Sequence, residues 1–227
     1  MAVGSIQQGI LNRLTRPIEA PRVDTGAFGR YARYYTQQAG RLADALGEGD
    51  ITTDQWLLAM EDQIAKLHTT AYTIGVGGID NLTANDLQII QSIIDKQDGF
   101  LTAWANDLRV QVERHMGTLL PADVQKVKNR ANLYLNAANA TLQRSTAEAM
   151  GIPELPAYPG DGSTQCLTSD KCSWKFKKVA GGWDCTWGLH PAEHCPTCLA
   201  RSHAWNPLRV RNGVIENPGG PELFFTR

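Results

Sequence analysis

The chain has 227 residues, a net charge of −1 and 20% charged residues. This length suits one core of ordinary size and a small additional module. The balanced charge gives no global indication of a nucleic acid or an anionic membrane as partner. No apolar run approaches the ~20 residues that a membrane-spanning helix requires. Residues 1–29 lack the apolar stretch of a signal peptide, so we expect synthesis and use in a cytoplasm, where thiols stay reduced.

The first 29 residues are predicted to form an N-terminal arm. Their apolar side chains have helical spacing, but Pro17 and Pro21 prevent a long helix. Two interpretations stay open. The arm is either an untied terminus or a segment that becomes ordered only against a neighbouring subunit.

Residues 30–151 are predicted to be helical. A first helix is expected over residues 30–46. Thr52 and Gln55 match a capping box at the start of a second helix. Its apolar residues recur at i, i+3 and i+4 until Gly75 ends it.

Two further helices are predicted in this region. Thr83 is a candidate cap for the third, which runs to about Met116 with a candidate interruption at Gly99. Pro121 suits the first turn of the fourth, and Gly151 ends it. Four helices with short connections predict a mainly α fold with an antiparallel helical body.

Three segments follow the helical region. Residues 152–164 are predicted to be a stiff Pro/Gly linker, because proline restricts the backbone. Residues 165–210 form a cysteine-rich module. Within it, residues 172–178 and 183–189 alternate polar and apolar side chains and predict a β-hairpin. Residues 211–227 are predicted to be an irregular tail, in which Phe224 and Phe225 are candidate anchors.

All five cysteines lie in this C-terminal module. Cys195 and Cys198 are separated by two residues, a spacing that lets two thiolates bind one tetrahedral metal ion. An odd number of cysteines fits a fully paired set of disulfides badly. The Cys195–Cys198 spacing and the odd number of cysteines therefore favour a metal site over a set of disulfides.

The predicted hairpin indicates which other cysteines join this pair. If Gly181 centres the turn, Cys172 lies opposite His190 at the open base of the hairpin. Side chains alternate along a strand, so Cys185 is expected on the other face as a buried structural thiol. We predict a structural Zn²⁺ site whose ligands are Cys166, Cys172, Cys195 and Cys198.

Several alternatives stay open for the same residues. His190 or His194 is a candidate replacement for one thiolate, and the cysteines are also candidates for disulfides or for free structural thiols. A catalytic zinc would need an open coordination position and a general base, for which Glu193 is a lone candidate. A thioredoxin-like redox site is disfavoured, because no strand–helix–strand setting precedes the motif.

The remaining charged and titratable residues favour structural roles. His68 is expected to be a satisfied histidine between helices and not a ligand. The lysines near the hairpin are interpreted as a solvated face, with a weak phosphate contact as the alternative. They are Lys171, Lys175, Lys177 and Lys178.

Two runs near the C-terminus resemble the C-terminal part of phage minor head, or head morphogenesis, proteins. They are LPAYPGDGSTQCLTSDKCSW and DCTWGLHPAEHCPTCLARSHAWNPLRV. Upstream, ITTDQWLLAMEDQIAKLHTTAYTIGVGG and NRANLYLNAANATLQRSTAEAMG resemble the helical part of the same proteins. The resemblance spans residues 30–210. Related sequences often have a further cysteine where this chain has Asp170, which makes Asp170 an additional candidate ligand.

This resemblance implies structural work in a bacteriophage head and no enzymatic activity. The expected partners are the portal protein, the major capsid protein or both, with several copies in the particle. The expected location is the virion head, after assembly in the host cytoplasm. The alternatives are a metal-dependent hydrolase or nuclease and a zinc-binding adaptor that acts on nucleic acid.

Overall fold

The computed structural model describes residues 23–191 and 193–216. A mainly helical body is followed by a small antiparallel sheet, as the sequence predicts. The body consists of α1 (Thr25–Glu48), α2 (Thr53–Gly75), α3 (Ala84–Arg114), α4 (Pro121–Asn136) and α5 (Ala138–Ala149). Most of the predicted arm and the tail from residue 217, with Phe224 and Phe225, lie outside the described residues.

Local hydrogen bonds set the helix starts. The capping box predicted at α2 is confirmed: the Thr52 hydroxyl accepts the Gln55 N–H at 3.2 Å, and the Gln55 side chain accepts the Thr52 N–H at 2.8 Å. Thr83 caps α3 in the same way, with Asp86 as its partner. The first helix begins earlier than predicted, because the Asp24 carboxylate accepts the Ala27 N–H at 2.8 Å.

Two helix interruptions differ from the prediction. The third helix runs unbroken through Gly99, since one glycine costs a helix only about 1 kcal/mol. The predicted fourth helix is instead divided into α4 and α5 at Ala137. There the Ala140 N–H bonds to the Ala137 carbonyl, one residue short of the α-helical pattern.

The helices pack around α2, which contacts α1, α3 and α5, while α1 also contacts α4. Aromatic rings link three of these helices. Trp56 of α2 meets Trp104 of α3 edge to face at 5.0 Å, and Trp104 stacks on Tyr134 of α4 at 5.8 Å. These rings and the aliphatic residues around them are named the body core; its fully buried members include Leu46, Met60, Ile64, Leu67 and Leu101. Among the described residues, no helix has both the length and the apolar character to cross a bilayer.

The C-terminal sheet has the strand order β1 (Ser173–Val179), β2 (Gly182–Gly188), β3 (Leu208–Arg211) and β4 (Val214–Ile215), all antiparallel. A short helix, α6 (Pro196–Ala204), lies between β2 and β3. The predicted β1–β2 hairpin is confirmed. The sheet also extends beyond it.

The hairpin register differs by one residue from the prediction. Trp174 pairs with Trp187 and Phe176 with Cys185, so that Ala180 and Gly181 together form the turn. A shift of one residue exchanges the faces of one strand relative to the other. Cys185 therefore shares a face with Trp174 and Phe176, and the prediction that it lies on the other face is wrong.

The start of the predicted irregular tail is ordered instead. Val210 and Arg211 of β3 pair with Ile215 and Val214 of β4 around a turn at Asn212 and Gly213. Both turn residues have positive φ, 51° and 76°. An Asn-Gly pair favours this type of tight turn. The sheet thus continues to residue 215.

The predicted linker packs against the sheet. Ile152, Leu155 and Tyr158 are buried, and the Trp174 indole donates to the Ala157 carbonyl at 2.9 Å. This buried set is named the module core; it comprises Ala147, Met150, Ile152, Leu155, Ala157, Tyr158, Cys172, Trp174, Trp183, Cys185, Trp187, Cys198, Trp205, Leu208 and Val210. The end of α5 and the linker therefore join the body to the module through a packed surface.

Candidate metal centre

Two segments deliver the candidate ligands, the connection before β1 and the start of α6. Cys166 immediately precedes a 3-10 turn, Leu167–Ser169, and Cys172 immediately precedes β1. Cys195 is the N-cap of α6, and Cys198 lies in the first turn of that helix. Pro196 suits the first helical position, because its missing N–H would have no partner there.

The structure brings the four predicted cysteines together as two triads. The ligand atoms of Cys166, Cys195 and Cys198 all lie within 4.8 Å of one another, as do those of Asp170, Cys172 and Cys198. Cys198 belongs to both triads. The cysteine cluster, defined as Cys166, Cys172, Cys195 and Cys198, is compatible with a metal site, and each of its thiols is free of disulfide bonds.

Cys195 is the thiol of the cluster that ionises most readily. Burial opposes its ionisation, but hydrogen bonds from the Cys198 backbone and from the neighbouring thiols lower the pKa of Cys195 below its usual value. The Cys198 N–H lies 3.4 Å from the Cys195 sulfur. Backbone N–H groups around a thiolate are typical of metal-binding turns.

The other three thiols of the cluster favour the protonated state. Burial is the main cause that raises the pKa of Cys166, of Cys172 and of Cys198. A metal ligand must be a thiolate, so binding of a cation would release these protons. The cluster would therefore bind metal more tightly as the pH rises.

Asp170 is a buried carboxylate inside the cluster, with only 2% of its surface exposed. One oxygen accepts the Cys172 N–H at 2.9 Å. The other accepts the Thr164 hydroxyl and the Cys198 thiol, both at 3.3 Å. No cationic side chain among the described residues forms a salt bridge with it, and a buried carboxylate without a cation is costly. A metal ion held within the triad of Asp170, Cys172 and Cys198 would place a cation directly beside this carboxylate.

The predicted alternatives with histidine find no support in the geometry. Among the described residues, neither triad contains a histidine. The backbone of His190 hydrogen-bonds to the Cys172 thiol. His194 is half-buried beside Cys195 in the chain.

Cys185 lies outside both triads, as predicted, although for another reason. Its pairing with Phe176 places it along the strand, away from the open base of the hairpin. It is fully buried in the module core, and burial raises the pKa of its thiol to about 12. A thiol in this state is inert.

Three tryptophans hold α6, which begins at the Cys195–Cys198 turn, against the sheet. The rings of Trp174, Trp187 and Trp205 lie 5.3 to 5.6 Å from one another. Arg201 of α6 lies over Trp187 at 5.1 Å and over Trp205 at 5.5 Å. Its guanidinium also donates to the Ser163 carbonyl at 3.2 Å, close to the loop that contains Cys166. These contacts orient α6 and its two cysteines.

The donor set limits the chemistry of the site. Four thiolates suit a soft or borderline cation such as Zn²⁺ or Cu⁺, or an iron–sulfur centre. Four sulfur ligands would fill a tetrahedral coordination sphere, and this arrangement is typical of structural sites.

No family model, curated protein or solved structure matches this chain. The resemblance to phage head proteins thus stays a prediction from the sequence.

Proposed function

We propose that this protein is a structural component or assembly factor of a bacteriophage head, and that a zinc-stabilised C-terminal module helps it to bind other head proteins. One observation carries the proposal. The two most specific pieces of the resemblance, PGDGSTQCLT and PAEHCPTCLA, contain three of the four cysteines of the cluster. These pieces are distant in sequence, yet their cysteines form one triad.

The metal in this proposal is Zn²⁺ with a structural role. A structural zinc site contributes directly to the folding of a small module. The ligands are Cys166, Cys172, Cys195 and Cys198, and Asp170 accepts hydrogen bonds from the Cys172 N–H and the Cys198 thiol beside them. Four sulfur ligands leave no coordination position for a reacting water, which disfavours a hydrolase.

The proposed partners are the portal protein, the major capsid protein or both, with several copies of the chain in each particle. The helical body would provide the larger binding surface. The module would present a rigid second surface, since zinc and the tryptophans fix its shape. The proposed location is the virion head, after assembly in the host cytoplasm.

Particle incorporation tests the proposal. The tagged chain is co-expressed with its proposed partners, a portal protein and a major capsid protein, and purified heads are analysed by quantitative mass spectrometry and cryo-electron microscopy. We expect several copies per head, and loss of incorporation for Cys198→Ser. Cys185→Ala is the matched control and should be incorporated normally.

Two outcomes would contradict the proposal. One is the absence of the well-expressed chain from intact heads. The other is metal-dependent hydrolysis of phosphodiester or peptide substrates by the purified protein, which would favour the hydrolase alternative.

A further inference from the structure

A cavity of about 120 Å³ lies where the helical body meets the loop that leads to the cysteine cluster. Helix α2 contributes His68, α3 contributes Lys96, and α5 contributes Thr141 and Arg144. The loop closes the other side with Tyr158, Gly160, Asp161 and Thr168. The cavity is also close in the chain to the cysteine cluster, because Thr168 lies in the 3-10 turn just after Cys166.

Two residues that line this cavity have a buried polar atom without a hydrogen-bond partner among the described residues. The atoms are Arg144 Nε and Thr168 Oγ1. His68 lines the cavity too, but its ring is hydrogen-bonded to the Tyr134 backbone and to the Thr141 hydroxyl. Nearly all buried polar atoms in folded proteins are hydrogen-bonded to protein or to an ordered species. Two exceptions from separate elements around one cavity favour a polar ligand there.

Both atoms can act as donors. The arginine Nε always carries a proton. The Thr168 hydroxyl donates or accepts one hydrogen bond, and Oγ1 has no partner among the described residues. A ligand that only accepts hydrogen bonds would satisfy both atoms.

The charges around the cavity also favour an anion. Lys96 is exposed, and it forms no salt bridge among the described residues. Arg144 pairs with Glu154 through Nη2 at 2.6 Å, which leaves its Nε unused. Asp161 is the one carboxylate in the described lining, and it accepts two backbone N–H groups of its own loop at 2.7 and 2.8 Å.

We propose that this cavity binds one phosphate group, either inorganic phosphate or the terminal phosphate of a nucleotide chain. The volume is sufficient for one tetrahedral oxyanion. Charge-assisted hydrogen bonds from an arginine and a lysine are the usual means of holding such a group. The inference goes beyond head assembly and does not depend on it.

A bound phosphate group would connect the two regions of the molecule. It would accept hydrogen bonds from Arg144 of α5 on one side and from Thr168 on the other. The loop that contains Cys166 would then be fixed against the helical body. Phosphate is therefore expected to stabilise the packing of the module on the body.

Titration of the metal-loaded full-length protein with inorganic phosphate tests the inference. Ionic strength is held constant with chloride, and binding is followed by the Tm and by ¹⁵N NMR of the Arg144 side chain. We expect a saturable rise in Tm at millimolar phosphate and a shift of the Arg144 Nε signal. Lys96→Gln should weaken binding about tenfold, because it removes one charge-assisted contact. Lys126→Gln, an exposed lysine on α4, is the matched control and should bind like wild type.

A second variant separates a ligand from ordered water. Thr168→Val keeps the side-chain shape but removes the hydroxyl donor, so it should fold and lose most of its phosphate response. A 5′-phosphorylated oligonucleotide and its unphosphorylated counterpart identify the source of the phosphate, since only the first should compete with inorganic phosphate if the site takes a chain end. The inference is overturned if phosphate causes no shift, or if Lys96→Gln and Lys126→Gln respond equally. It is also overturned if Thr168→Val binds phosphate as wild type does.

Discussion

The helical body and the C-terminal module are stabilised by different means. The body core spans long helices and buries aromatic and aliphatic side chains without a single cysteine. The module core is built on the short strands, the end of α5 and the linker; it contains Cys172, Cys185 and Cys198, and Cys166 and Cys195 pack against it. Small units bury too little apolar surface to be stable alone and commonly use a metal or disulfides. The body should therefore fold without metal, and the module should not.

Removal of the proposed zinc ion is expected to have the largest effect on this difference between body and module. Structural zinc contributes on the order of 10 kcal/mol to small modules. Cys198→Ser removes the sulfur that both triads share, so residues 164–215 should lose their protection while α1, α2 and α3 keep theirs. Hydrogen exchange measured by mass spectrometry, with and without a chelator, checks this. Cys185→Ala should keep the metal stoichiometry, and a module protected equally in both conditions would contradict the prediction.

A large cavity in the body core should produce the opposite pattern. Trp56 is fully buried, and Trp56→Ala is expected to cost about 3–5 kcal/mol of unfolding free energy. Urea unfolding followed by circular dichroism measures the loss, and metal content should stay unchanged. Leu58→Ala, at an exposed position of the same helix, is the control and should change stability by less than about 0.5 kcal/mol. A loss of metal in Trp56→Ala would show that the two regions are not independent.

Acid should weaken the body through His68. Burial lowers the pKa of this histidine from 6.5 to about 4, so the unfolded chain binds more protons between these values. The contribution of neutral His68 is complete above about pH 6.5 and is lost as the pH falls to about 4; it amounts to about 3 kcal/mol. Hydrogen exchange of the α2 amides, measured in urea across this pH range, gives the unfolding free energy of the helix and its dependence on pH. His68→Gln should remove this dependence, whereas His115→Gln should leave it intact.

Asp170→Asn should give the smallest of these effects and should be confined to the module. The amide retains an acceptor for the Cys172 N–H but loses the negative charge. Changes beside metal ligands typically lower metal affinity about 10- to 100-fold. Competition with a chromophoric chelator measures the affinity. The exposed Glu193→Gln is the control, and an unchanged affinity in Asp170→Asn would show that this carboxylate does not support the metal.

Features that depend on neighbours in the chain were predictable. The Thr52 capping box, Pro121 at the start of α4 and the β1–β2 hairpin are each encoded within a few residues, because the groups that form them are adjacent. The turn at Asn212 and Gly213 is likewise encoded by two adjacent residues, although the tail that contains them was predicted to be irregular. The strands on either side of it were missed because they are very short.

Features that depend on distant pairing were not predictable from local patterns. Alternation places Trp174 and Phe176 on one face of β1, but it does not decide which β2 residues lie opposite them. The turn consists of Ala180 and Gly181 and is not centred on Gly181. Cys185 therefore lies on the same face as Trp174 and Phe176. The burial of Asp170 was equally hidden, since it results from the approach of the α6 turn.

The sequence by itself determined the helical body, the hairpin and the four thiols that gather near one another, because hydrophobic periodicity, caps and cysteine spacing act over short distances. Only the tertiary structure decided the hairpin register, the division of the thiols into two triads that share Cys198, and the cavity between body and module. These features result from contacts between segments far apart in the chain. Their free energies depend on packing and on buried polar groups that no local pattern records.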